Sequence, residues 1–403
     1  MADFHQTGMI STLHRLGRVD LDRLETQLEA FSHQMPIALV LPSLYSEFQG
    51  PALQGIAREL RQVRYLNEVV VSLDRANRAE FDQARKFFSD LFCEHRIIWN
   101  DGERIQQLLK LLTENGLDIG SPGKGRGAWL AFGYVLARRR SKVIVLHDCD
   151  ILSYNREFLA RLCYPVVNSS MGYEFCKGYY PRITDRLHGR VTRLFFTPMI
   201  RTLKSMIGRH PFLAYLDSFR YPLAGEFSML ADLARVNRIP GDWGLEVGVL
   251  SEIYRNTSIK RVCQVDLCEN YEHKHQPLSP DDAQAGLMKM VADITKSLLR
   301  NLATEGLVFD TAFFNTLRTA YLQAAQDAIK KYEDDATING LVFDRHGERV
   351  AVDAFSGAIK LAMDEFLQDP LGITLITNWN RVISAIPDFF TRLENAVDVD
   401  NAG

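Results

Sequence analysis

Two aspartates separated by one residue follow an apolar segment of this chain. Residues 143–146 (Val-Ile-Val-Leu) lead into His147, Asp148, Cys149 and Asp150. The apolar segment predicts a buried strand, and side chains two residues apart on a strand project to the same face. Asp148 and Asp150 can therefore converge on one divalent cation, whose shell a diphosphate would complete, or on the hydroxyls of one ligand. The alternative is an aspartate-rich turn that binds nothing.

A glycine-rich segment lies just before that strand. Residues 123–127 (Gly-Lys-Gly-Arg-Gly) open a predicted helix that continues toward Arg138. The first turn of a helix presents unpaired backbone N–H groups, and Lys124 adds a point charge for phosphate. The segment is not a Walker loop, since Gly125 stands where Ser or Thr is required. A flexible loop with solvated charges is the alternative, but the nearby aspartates make phosphate binding the better interpretation.

The composition is that of an ordinary soluble globular protein. The 403 residues are 46% hydrophobic and 24% charged with a formal net charge of −3, so the overall charge does not favour nucleic acid or membrane partners. An anionic substrate would need a local basic cluster. The six cysteines show no C-x-x-C spacing, which favours free thiols in a reducing compartment. We find no apolar signal segment and no apolar run of about 18 residues, so we expect a cytoplasmic protein.

Strand and helix patterns alternate through the first 150 residues of the chain. Apolar segments predict strands at 36–41, 66–73 and 96–99, and a fourth that begins at 143 and carries the two aspartates. Helical spacing predicts helices at 19–33, 49–63, 80–93, 105–114 and 124–138. This alternation predicts an α/β fold with a doubly wound, mostly parallel sheet. In such sheets the ligand site lies at the C-terminal ends of the strands.

The rest of the chain divides into two parts. Residues 151–280 are irregular and rich in aromatic and basic side chains, which predicts short strands and loops. Beyond residue 280 the apolar spacing is helical and predicts an all-helical C-terminal extension with helices at 283–302, 310–333, 354–367 and 375–393. Residues 395–403 are expected to fray.

Several ordered motifs resemble those of one enzyme family. The generic motifs are Pro-Ser-Leu-Tyr-Ser-Glu at 42–47, Asp74 after the second strand, Gly-Lys-Gly at 123–125 and the D-x-D of Asp148 and Asp150. The more specific motifs are Gly-Arg-Val-Thr at 189–192, Tyr-Pro-Leu-Ala-Gly-Glu-Phe at 221–227, Trp-Gly-Leu-Glu-Val-Gly at 243–248 and His-Lys-His at 273–275. Over residues 36–290 the chain resembles the family-2-like glycosyltransferases of GT-A fold, and among them the retaining glucosyl-3-phosphoglycerate synthases.

The resemblance implies a domain organisation. Residues 36–280 would form the Rossmann-like GT-A domain, whose first half (36–150) binds the nucleotide and whose second half (151–280) binds the acceptor. Residues 1–35 would be an N-terminal helical segment and residues 281–403 the helical extension. The family also favours a homodimer, for which the apolar stripes of the extension are one candidate surface.

On the donor side the resemblance implies a set of residues for the nucleotide sugar. Those that would border the nucleotide are Pro42, Leu44 and Glu47, with Asp74 near the uracil. Lys124 would lie by the base or the diphosphate, and Asp148 would bind the ribose.

The resemblance assigns the chemistry to Lys124, Asp150 and Glu226. Asp150 and His273 would hold a divalent metal, and a carboxylate beside an imidazole suits Mg²⁺ or Mn²⁺. Glu226 would hold the hydroxyls of the donor sugar. The alternatives are a surface histidine at 273 and a core glutamate with a backbone partner at 226. No residue is identified as a covalent nucleophile, so we expect same-face attack, with the departing phosphate oxygen taking the acceptor proton.

On the acceptor side, Gly189, Arg190 and Thr192 resemble the phosphate clamp for 3-phosphoglycerate. A guanidinium matches phosphate bidentately, and a hydroxyl adds a neutral donor. Arg186, Arg193 and Arg201 would raise the local positive potential, but a solvated helix face is the preferred interpretation for Arg201 and an open alternative for Arg193.

His275 is also expected at the acceptor. Mycobacterial-type members of the family have Asn-Arg where this chain has His275 and Gln276. The resemblance therefore leaves the exact acceptor open.

We expect a retaining transferase that moves glucose from UDP-glucose, or GDP-glucose, to 3-phosphoglycerate. A transferase that uses mannose, glycerate or a glycosylglycerate is the nearest alternative, and a non-catalytic sugar-nucleotide-binding protein is the alternative of another class. The latter would have little use for Asp150, His273 and Arg190 together. A haloacid-dehalogenase-type phosphatase is disfavoured, because its D-x-D normally follows the first strand and precedes Thr or Val, where this chain has Leu152. A nucleotidyltransferase is disfavoured because no glycine-rich signature follows the first strand.

Overall fold

One sheet organises the chain. The computed structural model describes residues 6, 8–272, 278, 285–372 and 375–402. The strands are β1 (Ser11–Leu13), β2 (Ile37–Leu44), β3 (Leu66–Asp74), β4 (Glu94–Trp99), β5 (Val143–Leu146), β6 (Phe175–Tyr179), β7 (Phe227–Leu230) and β8 (Val262–Asp266). They form an eight-stranded sheet in the order β1-β8-β6-β7-β5-β2-β3-β4. β7 is antiparallel to both of its neighbours and the other pairings are parallel, which confirms the mostly parallel α/β fold.

Helices cover both faces of the sheet. They are α1 (Leu21–Ser32), α2 (Pro51–Leu60), α3 (Arg78–Phe87), α4 (Glu103–Glu114), α5 (Lys124–Arg138), α6 (Arg156–Val167), α7 (Thr197–Ile207), α8 (Pro211–Asp217), α9 (Ala231–Val236), α10 (Leu245–Asn256), α11 (Gly286–Thr304), α12 (Thr311–Ile338), α13 (Arg345–Gln368), α14 (Trp379–Ala385) and α15 (Phe389–Ala402). α1, α2, α3 and α6 pack on one face, and α4, α5 and α7–α15 on the other. Within the described residues, no helix combines the length and apolar character needed to span a membrane.

The central strands are apolar because both of their faces are buried. In β2, Ile37, Leu39 and Leu41 contact the core on one side of the sheet, and Ala38 and Val40 contact the core on the other. A strand covered by helices on both faces reads as a continuous apolar run rather than an alternating one. This is why the apolar segments located the central strands from sequence alone.

Two expectations about secondary structure were incomplete. The N-terminal segment was predicted as helical, yet Ser11–Leu13 also forms an edge strand that pairs with β8. Residues 151–280 were predicted as short strands and loops, and they do hold the three short strands β6–β8 but also the helices α6–α10. A strand of three residues is too short for a period-two pattern to identify it.

Residues 395–402 are helical, contrary to the expected fraying. The predicted helix at 375–393 is two helices, and the second, α15, continues to Ala402. The Asn401 side chain donates to the Ile97 carbonyl of β4 at 2.8 Å and accepts from the Ile97 N–H at 3.1 Å. β4 is the last strand of the sheet, and an uncovered edge would leave its backbone groups unpaired. The terminal helix therefore caps this edge.

The extension is also tied to the sheet through stacked tryptophans. Trp379 of α14 stacks on Trp129 of α5 with ring centroids 4.0 Å apart. The Trp129 indole N–H donates to the Thr377 carbonyl at 3.0 Å. Gly133 of α5 leaves the space for the Trp379 ring, since a Cβ atom there would lie 2.0 Å from Trp379 Cζ2.

We predict that Gly133→Ala lowers the free energy of unfolding by about 2 kcal/mol, because overpacking a rigid aromatic contact costs more than the helix propensity of alanine returns. Denaturant unfolding measures the change. Gly357→Ala in α13 is the matched control: nothing lies within 4 Å of the added Cβ, so the variant should be as stable as the unmutated protein or more stable by up to about 1 kcal/mol. Equal stability of the Gly133→Ala variant and the unmutated protein would contradict the prediction.

Candidate active site

The C-terminal ends of three neighbouring strands bring the donor-side residues to one edge of the sheet. Leu44 at the end of β2 pairs in register with Asp74 at the end of β3. β5 lies on the other side of β2, and the two aspartates follow it. Pro42 belongs to β2, and Glu47 lies in the short 3₁₀ helix that follows that strand. Parallel strands thus assemble the predicted nucleotide-binding set by topology.

The two aspartates lie beyond their strand. β5 ends at Leu146, so Asp148 and Asp150 are in the loop after it rather than in extended strand backbone. The expectation that strand alternation aligns their side chains is therefore wrong. Both side chains are half-buried, whereas Cys149 between them is buried. Burial raises the pKa of the Cys149 thiol; a hydrogen bond with Ser43 opposes the increase, and the charges of Asp148, Asp150 and Glu47 add to it.

Lys124 is held between two carboxylates. Its ammonium lies 2.6 Å from Asp148 Oδ1 and 3.1 Å from Glu246 Oε1. Burial lowers the pKa of Lys124, but the charges of Asp148 and Glu246 outweigh that effect and raise the pKa above its usual range. Lys124 is therefore cationic near neutral pH, and it is the first residue of the helix α5.

The glycines next to Lys124 allow the start of α5 to pack closely against neighbouring segments. A Cβ atom at Gly125 would lie 2.1 Å from the Pro240 carbonyl oxygen. A Cβ atom at Gly127 would lie 2.8 Å from Ser72 Oγ and 3.2 Å from Asp74 Oδ2. The glycine-rich sequence therefore lets α5 begin against the backbone near 240 and against the end of β3, which fixes Lys124 in place.

Asp74 lies beside the start of α5. Burial raises the pKa of the Asp74 carboxyl, while a hydrogen bond with Asn100 and the charge of Arg126 oppose the increase. Arg126 and Arg75 are thus basic neighbours of Asp74, and Lys124 is a basic neighbour of Asp148. The two cations of the glycine-rich segment serve different carboxylates of the same edge.

Glu226 is fully buried beneath this edge. The Tyr180 hydroxyl donates to its Oε2 at 2.6 Å and the Tyr271 hydroxyl donates to its Oε1 at 2.7 Å. The two tyrosine rings stack with centroids 3.8 Å apart. Gly225 lies against the ion pair above, since a Cβ atom there would be 2.6 Å from Asp148 Oδ2 and 2.9 Å from Lys124 Nζ. In the structure the Glu226 oxygens bind tyrosine hydroxyls, so a direct sugar contact by Glu226 stays a prediction.

The chain before residue 273 is tied to the aspartate loop. The Leu152 N–H donates to the Glu272 carbonyl at 2.8 Å, and the Glu272 N–H donates to Ser153 Oγ at 3.1 Å. His273 and His275 lie outside the described residues. In the part of the chain that the structure describes, no group of three or more His, Cys, Asp or Glu side chains is arranged to hold a metal.

The motif predicted to bind the acceptor, at 189–192, lies just before α7. Gly189 has φ of +73°, which a side chain would strain, and the next residues run through a π-helical segment (Val191–Phe196) into α7. Arg190 is half-exposed, whereas Thr192 is buried. Thr192 therefore has less access to a ligand than expected from the motif.

The neighbouring arginines have different environments. Arg193 is buried, so the solvated-face alternative is wrong for it. The side chain of Arg201 is 67% exposed beside Asp217, which agrees with that alternative. Arg186 is an exposed side chain paired with Asp185 at 2.9 Å.

Aromatic side chains join the acceptor motif to the donor edge. A Cβ atom at Gly189 would lie 3.8 Å from the Tyr221 hydroxyl, and Arg182 donates to that hydroxyl at 2.9 Å. The Tyr221 ring contacts the Tyr180 ring at a centroid distance of 5.2 Å. Since Tyr180 donates to Glu226 beneath Lys124 and Asp148, a continuous set of side-chain contacts links the motif at 189–192 to the start of α5 and the aspartate loop.

Three charged residues of this region received no role from the sequence. Glu246 lies in the motif at 243–248 and pairs with Lys124. Glu348, from the extension, pairs with Arg190. Lys177 of β6 is buried, and burial lowers the pKa of this lysine to about 8 although the charges of Glu246 and Glu226 oppose the decrease. Only Glu246 carried a sequence signal, because it lies within a motif of the family.

Comparisons with known proteins identify the relatives of this chain. No protein-family model matches the chain. The glucosyl-3-phosphoglycerate synthase of Persephonella marina is 50% identical over 402 residues, which is 100% of both chains. The glucosyl-3-phosphoglycerate synthase of Methanococcoides burtonii is 38% identical over 99% of this chain and 98% of its own.

The fold also matches a solved structure. The crystal structure of glucosyl-3-phosphoglycerate synthase from Mycobacterium tuberculosis aligns with a TM-score of 0.53 at 21% identity, covering 75% of this chain and 89% of that one. At that identity the likeness establishes the fold alone. The full-length identity to the Persephonella marina protein establishes the family, and the chain belongs to the glucosyl-3-phosphoglycerate synthases.

Proposed function

We propose that the protein transfers glucose from UDP-glucose to 3-phosphoglycerate with retention of configuration. The observation that carries the proposal is the continuity between the Lys124–Asp148 ion pair and the Gly189–Arg190 motif through Tyr180 and Tyr221. A cation suited to a diphosphate and a guanidinium suited to a phosphate monoester then serve one site. The Mycobacterium tuberculosis structure, in complex with Mn²⁺, UDP-glucose and phosphoglyceric acid, supports this pairing of donor and acceptor.

On the donor side, the nucleotide would lie across the ends of β2 and β3. Pro42, Leu44 and Glu47 would border it, with Asp74 near the base and Asp148 at the ribose. The half-exposed position of Lys124 above Asp148 suits a contact with the diphosphate. UDP-glucose is the proposed donor, and GDP-glucose is the alternative that the experiment below tests.

The residues present fit a divalent metal. Asp150 offers carboxylate oxygens at the edge of the sheet. The backbone of Glu272, the residue before His273, is hydrogen-bonded to Leu152 and Ser153, which closely follow Asp150 in the chain. Asp150 and His273 would hold the ion, and both Mg²⁺ and Mn²⁺ accept such ligands. When bound, it would supply positive charge next to the diphosphate.

The chain's own residues then act on the bond that breaks. Lys124 would stabilise the negative charge that develops on the leaving diphosphate. Glu226 is fully buried and binds Tyr180 and Tyr271, which favours a supporting role over that of a covalent nucleophile. The acceptor hydroxyl would attack from the face that the diphosphate leaves, and a departing phosphate oxygen would take its proton.

On the acceptor side, Arg190 would bind the phosphate of 3-phosphoglycerate. Gly189 allows the backbone turn that precedes Arg190, and Thr192 and His275 complete the proposed set.

We further propose that the protein is a homodimer and that it is cytoplasmic. The six cysteines are free and five of them are buried, which suits a reducing compartment.

The first prediction concerns the reaction and its metal. Purified protein incubated with UDP-glucose, 3-phosphoglycerate and Mg²⁺ should release UDP and form glucosyl-3-phosphoglycerate, identified by mass analysis. Asp150→Ala should lower the rate at least about 100-fold, and chelation of the metal should do the same to the unmutated protein. Asp90→Ala, at an aspartate whose side chain is 70% exposed, is the control and should retain full activity.

Other outcomes of that experiment are informative. UDP release without the expected product would mean that the acceptor is a different molecule, and His275 would be the residue to examine for that difference. Product from GDP-glucose but not from UDP-glucose would mean that GDP-glucose is the donor. Binding of nucleotide sugars without turnover would contradict the proposal in favour of a non-catalytic binding protein.

The second prediction concerns Lys124. Lys124→Met should lower kcat by about 100-fold or more, because the leaving diphosphate loses a cation where its charge develops. Lys142→Met is the control, since Lys142 is an exposed lysine just before β5. Steady-state kinetics with both variants test the claim, and a kcat within about threefold of the unmutated value for Lys124→Met would contradict it.

A further inference from the structure

A carboxylate of the C-terminal extension contacts the acceptor-side arginine. Glu348 lies in the first turn of α13, and 4% of it is exposed. The Arg190 Nε–H donates to Glu348 Oε1 at 2.8 Å. The two residues are 158 positions apart in the sequence, so only the folded structure brings them together.

The same carboxylate also holds a second, buried arginine. Arg193 Nη1 lies 3.0 Å from Glu348 Oε2, and Arg193 Nε donates to the His188 carbonyl at 2.8 Å. The guanidinium carbon of Arg193 lies 4.8 Å from the centre of the Tyr332 ring. Arg193 is therefore enclosed by protein and held to Glu348 as an ion pair. Glu348 carries one negative charge and contacts two arginines, so a net positive charge remains for a ligand at Arg190, the more exposed of the two.

The geometry at Arg190 suits such a ligand. Its contact with Glu348 uses Nε, which leaves the two terminal nitrogens to bind a phosphate or carboxylate in a bidentate way. The side chain of Arg190 is 36% exposed, so a ligand can reach it. A long side chain in that position has many rotamers, and a fixed partner for Nε reduces the entropy lost when the terminal nitrogens bind a ligand.

The helix that carries Glu348 is firmly docked. The Val342 N–H, in the turn before α13, donates to the Asp185 carbonyl at 2.8 Å. Tyr321 of α12 donates to the Leu194 carbonyl at 3.0 Å. The hairpin of α12 and α13 thus contacts the segment on both sides of Arg190, and Glu348 is held in a defined position relative to that arginine.

We propose that Glu348 is a positioning residue, through which the C-terminal extension orients Arg190 toward the anionic group of the acceptor. This inference rests on the proposed function and deepens it. It gives the extension a role in acceptor binding, which neither the sequence motifs nor the composition of α13 indicated.

Glu348→Gln tests the proposal because it keeps the shape and removes the charge. At saturating UDP-glucose the KM for 3-phosphoglycerate should rise roughly tenfold, as for the loss of one charge-assisted hydrogen bond, with the donor KM unchanged. Glu333→Gln is the matched control: Glu333 is on the same hairpin and pairs with exposed Arg345 at 2.9 Å, so its acceptor KM should not change.

A double-mutant cycle separates positioning from a general structural effect. If Glu348 acts through Arg190, then Glu348→Gln should add little to the acceptor KM of Arg190→Ala, so the two effects are not additive. Should Glu348→Gln fail to fold, Glu348→Asp takes its place, because it keeps the charge and shortens the reach. It should also raise the acceptor KM.

Several results would overturn the proposal. An unchanged acceptor KM in Glu348→Gln would do so, and a lowered one would mean that Glu348 competes with the acceptor. Additive effects in the cycle would also overturn it. If the unmutated protein makes no product, the proposed function fails, and calorimetric titration with 3-phosphoglycerate then tests the inference alone: weaker binding to Glu348→Gln supports it, and equal binding refutes it.

Discussion

The ion pairs of Lys124 with Asp148 and Glu246 are the interaction on which the rest of the site depends. Carboxylates at the edge of an apolar sheet are costly unless a cation compensates them, and Lys124 compensates two of them. Its position requires that α5 begin against the backbone near 240, which is possible because Gly125 has no side chain. It also requires that Gly225 leave room beside Asp148. The sheet, the start of α5 and the glycines are therefore arranged around one partly buried charge cluster.

Much of this arrangement was predictable because it is local in sequence. The strands buried on both faces appear as apolar runs, and polar residues directly after them must meet at one edge. The sequence therefore placed Asp74, Lys124, Asp148 and Asp150 at one edge of the sheet. It misjudged how Asp148 and Asp150 are presented, because the end of β5 depends on its pairing with β7, which runs antiparallel and lies far along the chain.

Contacts between distant segments could not be predicted in the same way. Glu348 is one of two glutamates on the amphipathic helix α13, and its sequence context does not reveal that it faces Arg190. The order of the last residues has the same origin, since α15 is fixed by the bonds of Asn401 to the edge strand β4. The extension covers the edge strand β4 and orients Arg190. Both functions depend on contacts that form only in the folded chain. The extension is thus part of the same packed unit as the sheet.

The central claim is that the diphosphate of the donor binds at this edge between Lys124 and the ion held by Asp150. Crystals grown with UDP and Mn²⁺ test it most directly, because Mn²⁺ can be located by its anomalous scattering. We predict a single strong peak within coordination distance of an Asp150 oxygen, with the diphosphate in contact with Lys124. A Mn²⁺ peak away from Asp150, or UDP bound without contact to Lys124, would contradict the claim.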